Sequence, residues 1–367
     1  MAFKLFVIVG TRPNFIKVTQ FEKELNQYDQ FFTYRLIHTG QHFDQNMSQI
    51  FFDQFGLREP DYYLDIKDLN VPTQFGQIII QLGQIFQREK PDLVIVVGDV
   101  NSTAAAAISA HKCGIKVAHL ESGLRSGDRT MPEEINRLIT DQIVDYFFVT
   151  EPSGWQHLKQ EGVSPERMFM VGNTMIDTLV TFQDVIEASP VLAQLSVTPQ
   201  SYALMTMHRP VNVDTAAGLR QLWAIINYIT LNTKIVFPIH PRTRKNLLKF
   251  NLDFTKIPNL VLCDPLDYVS FQKLIAHAKF VLTDSGGIQE ETSFKKIPCL
   301  TLRENTERPV TINQGSNTLT GMNFEKIKFY IDQIENGTYK KAQDIPLWDG
   351  QATSRIVKII HDIIAPS

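Results

Sequence analysis

The chain has few cysteines, and their arrangement argues against two classes of protein. Only three cysteines, Cys113, Cys263 and Cys299, occur among 367 residues, and they lie far apart. Their odd number and wide spacing fit neither a disulfide framework nor a zinc site, and they suit a reducing compartment. The sequence also has no Asp-x-Asp motif and no His, Cys, Asp and Glu cluster with metal-ligand spacing. We therefore predict that the protein requires no metal.

A strong excess of charge and long hydrophobic runs are missing as well. The formal net charge is −3, with 43% hydrophobic and 20% charged residues, which is ordinary for a globular protein and predicts neither nucleic acid nor an anionic membrane as a partner. No apolar run is long enough to cross a bilayer. Met1–Leu5 leads directly into a predicted strand, without the pattern of a signal peptide. These features together predict a cytoplasmic location.

Short apolar runs alternate with longer amphipathic segments along the chain. Ten runs, many rich in Val, Ile and Leu, are predicted to be strands: Lys4–Val9, Tyr34–His38, Leu93–Val97, Lys116–Leu120, Tyr146–Val149, Tyr202–Met207, Lys234–Pro238, Leu260–Cys263, Phe280–Thr283 and Cys299–Leu302. Predicted helices between them include Thr73–Gln87, Ser102–His111, Ala216–Leu231 and Ser270–Ala278. This alternation predicts an α/β protein whose parallel sheets carry helices on both faces.

The alternating pattern restarts near Tyr202, and the chain is long for a single hydrophobic core. We therefore expect two domains, residues 1–172 and residues 173–350, each with its own parallel sheet. The amphipathic segment Ser354–Ile364 is predicted to form a helix within residues 351–367 that packs back on the first domain. A ligand held between two similar halves is the simplest arrangement for such a chain.

The segment from Gly10 to Lys17 follows a predicted strand and has features of an anion site. Pro13 suits the first turn of a helix, whose N-terminal N–H groups and partial positive charge attract anions. Arg12 and Lys17 add charge-assisted hydrogen bonds. The alternative is an ordinary strand-to-helix turn with two surface cations.

A second such junction follows the strand Phe280–Thr283. Gly286 and Gly287 allow a phosphate to approach the backbone closely, and Ser285 supplies a hydroxyl group. The polar run Gln289–Glu291 is expected in the first turn of the following helix, where one acid is placed to bond ribose hydroxyls. The alternative is a capped helix with acids that match its dipole.

Three acidic residues follow or flank predicted strands between these two junctions. Asp99 comes just after Leu93–Val97, in the position where open α/β sheets bind ligands. Alternatively, Asp99 or Asn101 caps the next helix. Glu121 follows the next predicted strand and has either a proton-transfer role or a structural partner in Arg125. Glu133 is either a site acid or a dipole partner at a helix start.

Two histidines and one arginine occupy comparable places in the second half. His208 and His240 each end a predicted strand, so a ligand-facing role is reasonable for both. Arg308 follows the strand that ends near Leu302 and is a candidate to brace a diphosphate. The alternative for Arg308 is an ion pair with Glu304 or Glu307.

An ordered set of motifs resembles the non-hydrolysing UDP-N-acetylglucosamine 2-epimerases. The matching stretches between residues 10 and 309 are GTRPNFIKV, HTGQHFD, VVGDVNST, HLESGLRSGDRTMPEEINR, VGNTMIDTL, TMHRP, TDSGGIQEE and ENTERP. The resemblance implies the GT-B fold, in which two Rossmann-like parallel-sheet domains face a central cleft. It also implies interconversion of UDP-GlcNAc and UDP-ManNAc through 2-acetamidoglucal, without NAD or another cofactor, in a protein that forms a homodimer.

The resemblance also implies roles for individual residues. The catalytic residues implied are Asp99, Glu121, Glu133 and His208, with the order of proton transfers among the acids left open. The residues implied to hold the diphosphate are Arg12, Lys17, His208, Ser285, Gly286 and Arg308, with Phe271 near the uracil and Glu291 on the ribose. His240 and Gly287 are added as ligand-binding candidates from their places after a strand and in the glycine-rich junction. Gln41, His42 and Gln74 match an effector site for a second UDP-GlcNAc molecule in some members.

The chain departs from the family pattern in two places. Many members have Glu where this chain has Asn14, and many read HRREN where this chain has His208–Asn212. These departures leave open a modified acetamido sugar, such as a diacetamido uronic acid, and activation by the substrate. Three alternatives from other classes also stay open: a hydrolysing epimerase, a GT-B glycosyltransferase and a sugar-nucleotide sensor without activity.

Overall fold

The computed structural model describes residues 2–28, 31–40, 54–66 and 70–365. The chain forms two compact units. The N-terminal unit contains the residues up to Phe182 and those from Pro346 onward, and the C-terminal unit is Gln183–Ile345. Gln41 and His42 lie outside the described residues.

The N-terminal unit is built on a seven-stranded parallel sheet with the order β3-β2-β1-β4-β5-β6-β7. Its strands are β1 Phe3–Val9, β2 Phe32–His38, β3 Tyr62–Tyr63, β4 Leu93–Val97, β5 Lys116–Leu120, β6 Tyr146–Val149 and β7 Met168–Met170. Its α-helices within the described ranges are Arg12–Ile16, Phe21–Leu25, Val71–Glu89, Asn101–Lys112, Pro132–Ile143, Pro152–Gln160, Thr174–Thr181 and Ala352–Ile359, and the last continues as a π-helix over Ile360–Ile364.

The C-terminal unit has a six-stranded parallel sheet with the order β10-β9-β8-β11-β12-β13. Its strands are β8 Tyr202–Thr206, β9 Lys234–Pro238, β10 Leu260–Cys263, β11 Phe280–Thr283, β12 Cys299–Thr301 and β13 Asn317–Leu319. Its α-helices are Gln183–Glu187, Val191–Gln194, Pro210–Val213, Ala216–Thr230, Pro241–Lys249, Tyr268–His277, Gly286–Lys295, Val310–Asn313 and Phe324–Glu335.

Burial on both faces explains why the central strands are continuously apolar. All five residues of β4 are buried. In β8, Ala203 and Met205 belong to one hydrophobic cluster, whereas Tyr202 and Leu204 belong to a second. Because successive strand residues point to opposite faces, the two clusters lie on opposite sides of the sheet. The expected α/β class with two parallel sheets is confirmed.

The helix Thr174–Thr181 stays with the N-terminal unit, so the observed division differs from the expected one after Gly172. The Thr178 hydroxyl lies 2.6 Å from that of Thr19. Asp177 accepts hydrogen bonds from the backbone N–H groups of Ala352 and Thr353, at 3.0 and 2.6 Å. These bonds hold the returning C-terminal helix against the same unit.

Each sheet has a point at which the strand order reverses. The chain runs from β1 outward to β2 and β3, and then crosses to the other side of β1 to form β4. In the C-terminal unit, β8 and β11 have the same relation. The loops that leave the carboxyl ends of such strands diverge and form a crevice, which is where open α/β sheets bind ligands.

Candidate active site

The turn after β1 is closed by the side chain of Asn14. Its Oδ1 accepts hydrogen bonds from the backbone N–H groups of Gly10 and Thr11, at 3.1 and 3.2 Å. Its Nδ2 donates to the carbonyl of Val97 at 3.2 Å, which links the turn to the end of β4. The N–H groups of Gly10 and Thr11 are therefore used inside the turn. Arg12 is half-buried at the first position of the helix.

Lys17 and Glu121 form a buried ion pair beside this turn. The Lys17 Nζ lies 2.6 Å from Glu121 Oε2, and the two side chains are only 6% and 3% exposed. Glu121 has a φ of 74°, a left-handed backbone conformation that residues other than glycine seldom adopt. Glu121 thus directly follows β5, as expected, and has Lys17 as a charged partner.

Gly98 allows these groups to come together at the end of β4. A Cβ atom at Gly98 would lie 3.3 Å from Lys17 Nζ and 3.7 Å from Glu121 Oε2, and the residue has a φ of 69°. A side chain here would crowd the ion pair and strain the backbone. Glycine is thus required both for conformation and for the close approach of Lys17.

Asp99 contacts two residues of the helix Pro132–Ile143. Its carboxylate lies against the Arg137 guanidinium, and Asn136 donates to the Asp99 carbonyl at 2.9 Å. The next helix begins at Asn101 with Val100 as its N-cap and has no side-chain capping bond. Val100, and not Asp99 or Asn101, therefore occupies the N-cap position of this helix.

Glu133 and Glu134 begin the helix Pro132–Ile143 but have different surroundings. Glu133 is exposed, whereas Glu134 is buried. Burial raises the pKa of Glu134, but the N–H groups of Ser126 and Gly127 outweigh it and hold that pKa below its usual value. Glu134 also bonds Arg137 at 2.9 Å. Glu134 is therefore a structural anchor, and Glu133 is the acid presented to solvent.

His119 and Asp141 support the loops that carry Asp99 and Glu121. His119 Nε2 lies 2.7 Å from the carbonyl of Gly98, and its Nδ1 lies 2.6 Å from Asp141. Asp141 also accepts from the backbone N–H of Gly123 and pairs with Arg125 at 2.7 Å. Burial raises the pKa of Asp141, but the interactions with His119 and Arg125 outweigh it and lower that pKa. Arg125 thus supports the loop through Asp141.

In the C-terminal unit, His208 is held by a buried aspartate that the sequence analysis had assigned no role. His208 Nδ1 lies 2.8 Å from Asp284 Oδ1, and the Asp284 side chain is fully buried. Asp284 also accepts hydrogen bonds from the N–H of Arg209 at 2.8 Å and from Asn212 Nδ2 at 3.1 Å. Burial raises the pKa of Asp284, but these bonds and His208 outweigh it, so the pKa is lowered.

His240 lies next to His208, with ring centroids 5.5 Å apart. Its Nδ1 accepts a hydrogen bond from the N–H of Arg242 at 3.1 Å and so caps the helix Pro241–Lys249. Burial and the neighbouring His208 lower the pKa of His240. The two strand-ending histidines therefore meet at one edge of the sheet, as the sequence indicated.

The glycine-rich junction begins the helix Gly286–Lys295 with Ser285 as its N-cap. The Ser285 side chain makes no capping bond, which argues against the alternative of a conventionally capped helix. Glu290 and Glu291 lie beyond the first turn, so the expectation that they are first-turn acids is wrong. The reason is that the helix already starts at Gly286, about one turn before Glu290.

Arg308 is buried next to Gly286 and pairs with Glu307, one of the two partners named in the alternative interpretation, and with Glu290. Its Nε lies 2.8 Å from Glu290, and its Nη1 lies against Glu307. A Cβ at Gly286 would come within 2.7 Å of Glu307 and 2.9 Å of Arg308. Gly286 is therefore needed for this packing, and the guanidinium is held next to the junction.

Glu291 is buried and has a strongly perturbed acidity. Burial raises its pKa to about 7, although Gln272, Lys295 and Tyr268 act in the opposite direction. Gln272 and Tyr268 belong to the helix Tyr268–His277, which also carries the half-buried Phe271. The helix expected to contact uracil and the acid expected to bind ribose are thus neighbours.

Of the three residues predicted for an effector site, only Gln74 lies among the described residues. Gln74 is buried near the start of the helix Val71–Glu89, but its proposed companions Gln41 and His42 are not described.

The described residues hold no group of three His, Cys, Asp or Glu side chains arranged to bind a metal. They also include no helix with the length and apolar character needed to cross a membrane.

The candidate site residues therefore form one cluster in each unit, near the strands at which the strand order reverses. The N-terminal unit brings together Lys17, Gly98, Asp99 and Glu121, and the C-terminal unit brings together His208, His240, Asp284 and Ser285. The sequence analysis missed Arg137, Asp141 and Asp284. A signal existed for Asp284, because it directly follows β11 much as Asp99 follows β4.

Comparisons with known proteins give a consistent result. A family model described as UDP-N-acetylglucosamine 2-epimerase matches residues 23–361. A UDP-N-acetylglucosamine 2-epimerase of Methanocaldococcus jannaschii is 39% identical over 365 residues, covering 97% of this chain and 98% of that protein. A UDP-2,3-diacetamido-2,3-dideoxy-D-glucuronate 2-epimerase of Pseudomonas aeruginosa is 35% identical, covering 97% and 99%. The crystal structure of the M. jannaschii enzyme with UDP-GlcNAc and UDP superposes with a TM-score of 0.89 at 38% identity, covering 98% and 99%.

Proposed function

The chain belongs to the UDP-N-acetylglucosamine 2-epimerase family, and from that premise we propose that it interconverts UDP-GlcNAc and UDP-ManNAc. The reaction is an isomerisation at sugar C2. It proceeds by elimination and re-addition of UDP and uses no NAD. The expected membership of this family is confirmed.

The observation that carries the proposal is the placement of Asp99 and Glu121. They follow β4 and β5, which are adjacent strands, at the carboxyl edge of the sheet. Inversion of a C–H centre requires removal of the proton on one face of the ring and delivery on the other, so the reaction needs more than one acid or base. Glu133, exposed on the helix that carries Arg137, supplies a third carboxylate on the same unit.

The proposed chemistry has two symmetric halves. A carboxylate of the N-terminal unit takes the C2 proton, the C1–O bond breaks, and its electron pair leaves on UDP. The products are 2-acetamidoglucal, with a C1=C2 double bond, and UDP. UDP then adds back to C1 while a second group protonates the opposite face of C2. Asp99, Glu121 and Glu133 are the proposed proton carriers, and their order stays open.

A set of cationic, histidine and backbone groups is proposed to bind the UDP portion. Positive or proton-donating groups for the diphosphate as it leaves are proposed to come from Arg12, Lys17, His240 and Arg308. The backbone of Ser285–Gly287 begins a ten-residue helix, whose N-terminal dipole favours an anion. Glu291 is proposed on the ribose and Phe271 near the uracil, in line with their neighbouring helices.

The decisive experiment is proton NMR of UDP-GlcNAc incubated with the protein in D2O. We expect deuterium at C2 and the appearance of UDP-ManNAc, with no acceptor and no NAD added. Accumulation of free sugar and UDP would instead indicate a hydrolysing epimerase. Binding without C2 exchange would indicate a sensor, and turnover only with an added acceptor would indicate a glycosyltransferase.

A modified UDP-acetamido sugar is the second candidate substrate. It is favoured by the similarity to the P. aeruginosa diacetamido-glucuronate epimerase and by the replacement of the family's usual residues at Pro210 and Val211. Val211 is 78% exposed in the short helix Pro210–Val213, which begins directly after Arg209. Comparing kcat/KM for the two sugars under identical conditions decides between them. A location in the cytoplasm, a homodimeric state and a role in polysaccharide biosynthesis stay predictions.

A further inference from the structure

The hydrogen bonds around Asp284 determine which nitrogen of His208 carries a proton. We propose that Asp284 is a positioning residue that holds His208 as the Nδ1–H tautomer and so leaves Nε2 as the nitrogen that meets the nucleotide-sugar. The inference rests on the proposed function only for the identity of the ligand. The tautomer itself follows from geometry inside the C-terminal unit.

The first step is the charge of Asp284. Its side chain is fully buried and receives hydrogen bonds from two backbone N–H groups and from the Asn212 amide, in addition to His208 Nδ1. All of these contacts suit an ionised carboxylate, which can only accept hydrogen bonds. The nitrogen that faces Oδ1 at 2.8 Å must therefore carry a proton.

The second step concerns the other ring nitrogen. In a neutral imidazole with a proton on Nδ1, Nε2 has the lone pair and can accept a proton. The His208 side chain is 41% exposed although its carboxylate partner is fully buried. Among the described residues, Asp284 pairs with Nδ1 and the His240 ring lies beside the His208 ring, with Arg242 next to His240. His208 is thus anchored at Nδ1 and presents Nε2 outward.

Replacing the Asp284 carboxylate with an amide should change which His208 nitrogen carries the proton. The N–H of Arg209 and the Nδ2 of Asn212 both donate to Oδ2 of Asp284, at 2.8 and 3.1 Å. These donors require an oxygen at the Oδ2 position, so the amide introduced by Asp284→Asn would place its NH₂ group toward Nδ1 of His208. His208 would then have to accept at Nδ1 and carry its proton on Nε2. The substitution therefore reverses the tautomer while it keeps the shape of the site.

The test combines a spectroscopic and a kinetic measurement on the full chain. With ¹⁵N-labelled histidine at a pH where His208 is neutral, long-range ¹H–¹⁵N spectra should show His208 protonated on Nδ1. Asp284→Asn should move that proton to Nε2. Asn212→Ala removes a donor to the same carboxylate without touching the Oδ1–Nδ1 contact, and it should leave the tautomer unchanged.

The kinetic effect should depend on His208. In the Ser-His-Asp triad, the matching Asp→Asn change gives the wrong tautomer and lowers kcat by about 10⁴. For Asp284→Asn we expect a loss of kcat of about 10²–10⁴ with a UDP dissociation constant within about threefold of the parent. In a His208→Gln background the same change should cost less than about threefold, since its route of action is already gone.

Each result decides the inference. A parent protein with His208 protonated on Nε2, or an Asp284→Asn variant with an unchanged tautomer, would overturn it. Equal kinetic losses in the parent and His208→Gln backgrounds would also overturn it, because Asp284 would then act only by supporting the loop. If the parent does not epimerise UDP-GlcNAc, the proposed function fails, but the tautomer measurement still tests the role of Asp284.

Discussion

The ion pair between Lys17 and Glu121 should stabilise the N-terminal unit only as long as both partners are present. Lys17→Met removes the charge and keeps most of the side-chain volume. The change leaves Glu121, 3% exposed, without the ammonium group that lies 2.6 Å from its Oε2. A buried carboxylate that loses its counter-ion is costly because neither water nor a cation compensates its charge.

The expected magnitude follows from the burial of both groups. Removing one partner of a buried ion pair typically costs about 3–5 kcal/mol, whereas an exposed pair contributes about 0–1 kcal/mol. With 6% and 3% of the side chains exposed, the Lys17–Glu121 pair belongs to the first class. We therefore expect Lys17→Met to lower the free energy of unfolding of the N-terminal unit by about 3–5 kcal/mol.

The chain offers a matched control in Lys116 and Asp145. Their N–O distance is 2.7 Å, almost that of the buried pair, but the side chains are 61% and 27% exposed. Lys116→Met should therefore change the free energy of unfolding by no more than about 1 kcal/mol. The two Lys→Met variants differ mainly in the burial of the charge that is left behind.

The assay is urea unfolding followed by tryptophan fluorescence in a Trp223→Phe background. Of the three tryptophans, Trp155 and Trp348 belong to the N-terminal unit and Trp223 to the C-terminal unit, so the remaining signal reports on the N-terminal unit. Adding Glu121→Gln to Lys17→Met removes the stranded charge and should restore at least about 2 kcal/mol. The reasoning is refuted if Lys17→Met costs no more than Lys116→Met, or if the second change adds to the loss.

Three further predictions concern the same sites. Gly98→Ala should lower stability by about 1–3 kcal/mol in urea unfolding, because a φ of 69° and a contact of 3.3 Å to Lys17 Nζ disfavour a Cβ; an unchanged midpoint would contradict this. Asp99→Asn should keep UDP affinity within about tenfold and cut turnover by about 10²–10⁴, measured by titration and initial rates; equal losses of binding and turnover would mean that Asp99 only shapes the pocket. For Glu291, a folded-state pKa raised to about 7 from 4.5 means that stability is highest below pH 4.5 and falls as pH rises toward and past 7, by up to about 3 kcal/mol. Glu291→Gln should abolish this part of the slope between pH 5 and pH 8 in urea unfolding, and an unchanged slope would exclude the assignment.

The strands that were predicted from sequence are those with enough residues to show a pattern. All ten are present, and runs such as Leu93–Val97 and Phe280–Thr283 have the predicted bounds. The strands β3, β7 and β13 were missed. They contain two or three residues each, and they exist because a neighbouring strand supplies their hydrogen bonds. Such short strands are defined by their pairing with a neighbouring strand, and the local sequence pattern does not show which segments pair.

In the candidate site as well, the positions of residues could be predicted from local sequence, whereas their contact partners could not. Asp99 and Glu121 could be placed at the carboxyl edge of a sheet, because each follows an apolar run. Their partners could not be predicted. Arg137 reaches Asp99, and Lys17 reaches Glu121, only because strands and helices from separate parts of the chain are packed side by side. The helix start at Gly286, one turn before the expected acids, was likewise a tertiary outcome.

Residue order was enough to predict the alternation of strands and helices, the parallel class of both sheets and the ordered motifs of the family. These properties depend on hydrophobic periodicity and on residue order, which are local or one-dimensional. The contact of Lys17 with Glu121 across 104 residues and that of Asp284 with His208 across 76 depend instead on how the elements pack. Ion pairs and hydrogen bonds require distances near 3 Å, and strand register and helix packing set such distances in three dimensions.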